Sequence, residues 1–383
     1  MSRWSILTAV VVTQTGSISL VYGLPFLIPL MRTTEGITLT HAGTIAVAPL
    51  LGVLAMLIVW GALADWFGER LIMVVGTLGT GLSGIAAATL PGIGGLTVAL
   101  IAAGAFGSSI NVTSGRAILA AFDVAQRGLA MGIRQSAQPL GLSLAAVLLP
   151  PLGEAWGYRQ ALLVPAGICV VMAVVVAVVV PGRPRASRAE VRAPSPYRDR
   201  RLWRVHGAGA LLVWPQFVAS VFALTYLVSE QGWDPVTAGA AIAVIQLLGA
   251  LGRVGAGVWS DRVASRMRPM RLIALAGTAS MITWAVGDAV APTLALVGLV
   301  AVLIISASPN GLAFVATAEL AGPAWAGRAM GLHNTGQNSM AMATAPAFAA
   351  AVTAIGWPWA LAIGALFPLM AAGITPVRGE VSG

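Results

Sequence analysis

The sequence predicts an all-helical membrane protein of twelve spans arranged as two six-helix halves. Three observations carry this: a scarcity of charge, apolar runs that recur at membrane-spanning length, and an internal repeat. The 22 basic and 13 acidic residues make up only 9% of 383 residues, and 58% are hydrophobic. Soluble domains carry roughly 25% charged residues, and so few charges could not cover a water-facing surface of this size. The composition excludes a soluble enzyme, a disordered chain and a fibre. The 45 Gly and 22 Pro are in keeping, since both are more frequent in spanning helices than in soluble ones.

Taken in order, apolar runs at 5–31, 41–64, 71–90, 94–121, 128–150 and 158–180 form a first set. Runs at 207–229, 236–259, 271–290, 293–318, 328–352 and 357–377 form a second. Each holds roughly 20 residues or more, enough to cross a ~30 Å hydrocarbon core. The first run is too long for a signal peptide and lacks a convincing cleavage site, so it reads as a span. The division predicts bundles at 1–180 and 207–383, joined by a polar Arg- and Pro-rich linker at 181–206.

All 22 basic residues are Arg, as codon bias would produce. With both termini on the cytoplasmic side, seventeen Arg fall in cytoplasmic segments and two, Arg32 and Arg159, in external ones. The positive-inside rule therefore places both termini in the cytoplasm. The net charge of +9 then reflects orientation and not a nucleic-acid partner. The single Cys169 excludes internal disulfides and Cys-rich metal sites. No phosphate-binding Gly-rich loop is present, so no nucleotide or other cofactor is expected.

The halves repeat. Gly61, Asp65 and Arg70 after the second span match Gly257, Asp261 and Arg266 after the eighth at an offset of 196. Residues 130–138 match 329–337 at an offset of 199, and Asn111 matches Asn310 at the same offset. Two parallel six-helix repeats about an axis along the membrane normal are a known transporter architecture. The Gly-x3-Asp-x4-Arg motif in both halves of a 6 + 6 chain resembles the major facilitator superfamily. That resemblance implies alternating access, with the motif latching the halves at the cytoplasmic face. Gly61 and Gly257 would allow close helix packing, Gly68 a tight turn, and the Asp could meet a helix N-terminus. The competing reading is a plain solvated loop charge.

Every acidic residue falls at one membrane face or the other, but Arg116, Arg134 and Arg253 lie within spans. An intramembrane charge costs ~2.5–3.5 kcal/mol on insertion scales and faces a cavity or a partner. Snorkelling to the cytoplasmic face is the alternative, strongest for Arg116. Arg134, Gln135 and Gln138 share a helix face, and their repeat mates His333, Asn334 and Gln337 make the same stripe on the eleventh span. These stripes suggest a central site lined from both halves, or interhelical hydrogen bonding alone. Gly252-Arg253 in the eighth span resembles the Gly-Arg of monocarboxylate and oxalate/formate-type porters of the superfamily, where the Arg is implied to bind substrate carboxylate.

The expected substrate site is thus Arg134, Arg253 and Arg116, with Asn111, Gln138, Asn310 and Gln337 adding hydrogen bonds. His333 is the one other protonatable group inside, as a proton carrier or a neutral bundle residue. His41 and His206 read as solvated helix ends. The expected activity is gradient-driven transport of a small organic anion, such as a monocarboxylate, by a monomer in a bacterial cytoplasmic membrane. A drug or metabolite exporter is the alternative in the same class. A membrane-embedded enzyme lacks a nucleophile or metal cluster, and a non-transporting sensor lacks a soluble domain.

Overall fold

The computed structural model describes residues 2–182, 194–377 and 380, and the regular structure among them is helical. The long elements begin with α1 (Arg3–Val21), α2 (Leu39–Phe67), α3 (Glu69–Thr89), α4 (Gly92–Ala121), α5 (Arg127–Gln135), α6 (Ala137–Trp156) and α7 (Leu163–Val179). They continue with α8 (Arg200–Ser229), α9 (Pro235–Arg262), α10 (Met267–Val290), α11 (Pro292–Ile305), α12 (Asn310–Ala321), α13 (Ala326–Gly364) and α14 (Leu366–Ile374). Among the described residues, eleven helical stretches are long and apolar enough to cross a membrane. The last, Ala326–Ile374, has 49 residues, room for two crossings, and Gly356 at φ 78 breaks it where the twelfth span was expected to start. Twelve spans therefore hold.

Several spans are interrupted where the sequence reading drew them whole. The first ends at Val21 and gives way to a 3-10 turn at Leu24–Leu27 and an eight-residue helix at Ile28–Glu35. Pro25 and Pro29 each lack an amide hydrogen and restart the helix. The fifth breaks at Ser136, between α5 and α6, and the tenth breaks at 306–309, just before Asn310. The seventh begins early, at Arg200, because the Asp199 side chain accepts the Arg201 amide at 2.8 Å and caps it. Leu202 and Val205 are already buried there, so the expected linker 181–206 ends inside a helix. Its stretch at 183–193 lies outside the described residues.

Two compact units form, and they do not follow the expected 1–180 and 207–383 bundles. The first holds Met1–Phe122, Ser136–Pro194 and Gly322–Asn334; the second holds Asp123–Gln135, Ser195–Ala321 and Thr335–Gly383. Each unit thus takes one short segment from the other half of the sequence. The first unit's core gathers Leu20, Leu24, Leu96, Leu100, Leu149 and Leu162. The second's is richer in aromatics, with Trp214, Tyr226, Trp284 and Phe348. Other apolar side chains in the middle of spans face outward, among them Val147 (71% exposed) and Leu251 (67%). Such exposure would be a liability in water and is what a lipid-facing helix requires.

One turn recurs in both units. Gly157 (φ 99) and Gly356 (φ 78) occupy the left-handed region at the repeat offset, each followed by an aromatic residue, Tyr158 or Trp357. Tyr158 donates its hydroxyl to Glu35, and Arg159 Nη2 pairs with the same carboxylate at 2.8 Å. In the second unit Trp357 Nε1 donates to Glu230 at 3.0 Å. The bonds from Tyr158 and then Arg159 hold the Glu35 carboxyl below its ordinary range. A carboxyl lowered in this way contributes stability above its unfolded pKa and loses it as pH falls through the folded one. The stability difference between wild type and Glu35→Gln should stay constant above about pH 5 and shrink below about pH 4. A pH series of thermal melts in detergent checks this; a difference that does not change with pH removes the cluster as a stabiliser.

Candidate functional site

Both Asp residues of the repeated motif sit at the end of a long helix and cap the start of another. Asp65, near the end of α2, accepts the backbone N–H groups of Gly327 at 2.9 Å and Arg328 at 3.1 Å, in the first turn of α13. Asp261, at the end of α9, accepts those of Gly128 at 2.9 Å and Leu129 at 2.8 Å, in the first turn of α5. A carboxylate is favoured at that end by the helix dipole and satisfies amides that have no intrahelical partner. The glycine one turn earlier lets the backbones meet. A Cβ on Gly61 would lie 2.5 Å from the Gly327 carbonyl, and one on Gly257 would overlap that of Gly128. These caps explain the exchanged segments, 322–334 in the first unit and 123–135 in the second.

The cations that complete the two caps differ. Asp65 pairs with Arg116 of α4 and with Arg328 Nε at 3.2 Å, while Arg116 Nε also meets Glu69 at 2.9 Å. Asp261 pairs with Arg266 of its own motif at 2.6 Å, and Arg266 Nη2 also donates to the Val124 carbonyl at 2.8 Å. Arg116, expected among the substrate ligands, has its buried guanidinium bridging two carboxylates. The competing reading of Asp65 as a solvated loop charge does not hold, since Asp65 is 7% exposed and Glu69 beside it 5%. Arg70, counted with the motif, is exposed.

Gly68 makes the expected turn between α2 and α3, at φ 84. Its repeat mate is Ala264, at φ 47 the single non-Gly residue with positive φ among those described. An L side chain there costs about 1–2 kcal/mol. Ala264→Gly should therefore raise stability by about 1 kcal/mol, read as a higher melting temperature with unchanged transport. A lower melting temperature would show that the turn is unstrained.

Arg134 and Arg253 come together in the second unit, although they belong to different halves of the sequence. Arg134, on α5, is 1% exposed and Arg253, on α9, is 6%. The helices run close because a Cβ on Gly132 would stand 2.6 Å from the Arg253 carbonyl. Arg134 Nη1 donates to Gln135 Oε1 at 2.8 Å, and Arg253 Nη1 donates to the Gln135 backbone carbonyl at 3.0 Å. The Arg134 guanidinium also lies 5.4 Å from the centre of the Phe314 ring, within cation–π range. Arg253 forms no ion pair among the described residues, and its buried Nε has no hydrogen-bond partner there.

The expected amides are present but partnered within each unit. Asn111 accepts from Gln14 at 3.3 Å in the first; Asn310 donates to Gln216 at 3.0 Å in the second. Sequence reading missed Gln14 and Gln216, though each is an interior amide in the opening span of its half. Gln337 Nε2 reaches the Gly209 carbonyl at 3.4 Å, and Gln138 is half-buried. His333 is 1% exposed on the segment that joins the first unit. His206 is buried, not solvated, its Nε2 3.3 Å from the Tyr197 hydroxyl. Among the described residues no three His, Cys, Asp or Glu side chains gather to hold a metal.

Comparison with known proteins bears on the family and the fold. The chain is 40% identical over 381 residues to an uncharacterized MFS-type transporter, Rv2994, of Mycobacterium tuberculosis, covering 98% of this chain and 85% of that protein. It is 26% identical over 273 residues to a probable sulfoacetate transporter, SauU, of Cupriavidus necator, covering 64% and 61% of the two. The crystal structure of the human organic anion transporter MFSD10 superposes with a TM-score of 0.76 over 98% of this chain and 100% of that one, at 14% identity, which shows the fold. The family model of the Major Facilitator Superfamily matches residues 10–345. With that match over most of its length and the motif in both halves, the chain belongs to the major facilitator superfamily of membrane transporters.

Proposed function

We propose that the protein carries a small organic anion, a carboxylate or a sulfonate, across the membrane by alternating access. The observation that supports this is Arg253, a buried guanidinium with no carboxylate partner among the described residues. An uncompensated buried charge costs several kcal/mol, and a bound anion relieves it. Arg134 lies beside it as a second cation, and Asn310 and Gln337 of the same unit carry hydrogen-bonding groups, while Asn111, Gln138 and the protonatable His333 belong to the first unit. The relative named as a probable sulfoacetate transporter supports the same sign of charge. The caps at Asp65 and Asp261 are the latches that form and release as the transporter cycles. The Arg bias of the loops supports a bacterial cytoplasmic membrane with both termini inside.

The test is ligand-induced stabilisation of the purified protein. A ligand that binds only the folded state at 100 times its Kd adds about 2.7 kcal/mol. Acetate, oxalate, methanesulfonate and sulfoacetate are set against the lipophilic cation tetraphenylphosphonium. Stabilisation by at least one anion and none by the cation is expected. Stabilisation by the cation alone would replace this reading with a drug exporter.

A further inference from the structure

Gln135 is the point at which both arginines are held. It is the last residue of α5, and the helix breaks before α6 at Ala137. A carbonyl at a helix end needs a donor from outside its own helix, and for Gln135 that donor is Arg253 Nη1 at 3.0 Å. The side chain of the same residue takes Arg134 Nη1 at 2.8 Å. One residue therefore receives one guanidinium on its backbone and the other on its amide. Holding Arg253 by Nη1 leaves its Nε, buried and without a partner among the described residues, on the edge it shares with Nη2. That edge meets a forked oxyanion through two parallel hydrogen bonds.

The acceptor is an amide, not an acid. A carboxylate 2.8 Å from Arg134 would fix the guanidinium equally well but would cancel its charge. An amide orients it without adding a negative charge of its own. We propose that Gln135 is a positioning residue: it aligns Arg134 and Arg253 so that the Nε–Nη2 edge of Arg253 is presented to one forked oxyanion, carboxylate or sulfonate, and its neutrality keeps the positive field that draws the anion in. This rests on the anion-transport reading above.

The experiment compares wild type, Gln135→Glu and Gln135→Asn in detergent, measuring the ligand-free melting temperature and the Kd for acetate, oxalate and methanesulfonate. Gln135→Glu supplies an internal carboxylate. It should melt higher than wild type without ligand and bind the preferred anion about 10- to 100-fold more weakly, the loss of a hydrogen bond to a charged group. Gln135→Asn keeps the amide but is one methylene too short to reach Arg134. It should weaken the same anion several-fold with no rise in ligand-free stability. A purely structural role predicts lower melting in both variants and unchanged Kd. Gln135→Glu binding the anion as tightly as wild type overturns the positioning role while the anion reading stands. A wild type that binds none of the three overturns the anion reading and, with it, this one.

Discussion

Replacing Arg253 with Gln should make the empty protein more stable and the anion-bound protein less so. The two effects share a cause. In the ligand-free state Arg253 is a buried charge without a counter-ion among the described residues, so removing the charge removes its desolvation penalty. With an anion present the same change deletes hydrogen bonds to a charged group, worth about 1.5–3 kcal/mol, and weakens binding roughly 10- to 100-fold. Arg253→Lys retains the charge but loses the planar fork, so it should fall between the two. The measurement is a pair of melting curves for each protein, with and without the best anion from the screen. If Arg253→Gln binds that anion as tightly as wild type, Arg253 is not its ligand.

The second large effect concerns Asp65. A charge–dipole contact alone is worth ~0.3–2 kcal/mol. The carboxylate also neutralises Arg116 and Arg328 in a site where it is only 7% exposed. Breaking a buried pair by removing one partner costs about 3–5 kcal/mol, so Asp65→Asn should destabilise by about that amount and lower transport sharply. Glu69 remains beside Arg116 and limits the loss. The double variant Asp65→Asn/Arg116→Gln should recover part of the stability, because the two residues are coupled. Equal melting of wild type and Asp65→Asn would mean that the cap contributes nothing.

The architecture was legible because bilayer length and charge scarcity leave a coarse, repeated signal. The interruptions were not. Apolarity does not change at 22–28, and a spanning segment stays greasy whether or not its hydrogen-bond ladder is continuous; at 136 the polar run Arg134–Gln138 reads as a site and not as a helix break. The start of α8 was hidden for the opposite reason: its first turn carries Arg200, Arg201 and Arg204, which read as linker until the Asp199 cap is seen. At the site, the repeat located Asp65 and Asp261 and the expectation that each meets a helix N-terminus. It could not reveal the partners. Arg116 has no repeat mate, and counting residues gives depth along a helix but not the face presented, so its pairing with Asp65 and Glu69 stayed invisible. Arg134 and Arg253 were found as interior charges. Their meeting at Gln135 depends on the close passage of α5 and α9 at Gly132, which no linear spacing reports.

The exchange of short segments between the units has a consequence for how the chain is made. The first unit is almost complete in sequence by Pro194, yet it includes Gly322–Asn334. Until the ribosome has added about 140 further residues, the amides that Asp65 caps do not exist. At 5–20 residues per second that is a wait of roughly 7–30 s. Throughout it Asp65, Glu69 and Arg116 form an unfinished cluster. Until then the newborn first half lacks the backbone amides that Asp65 caps. Ribosomes stalled short of residue 327 should carry a first half that a membrane protease cuts readily, and those stalled well past residue 334 should carry one that resists.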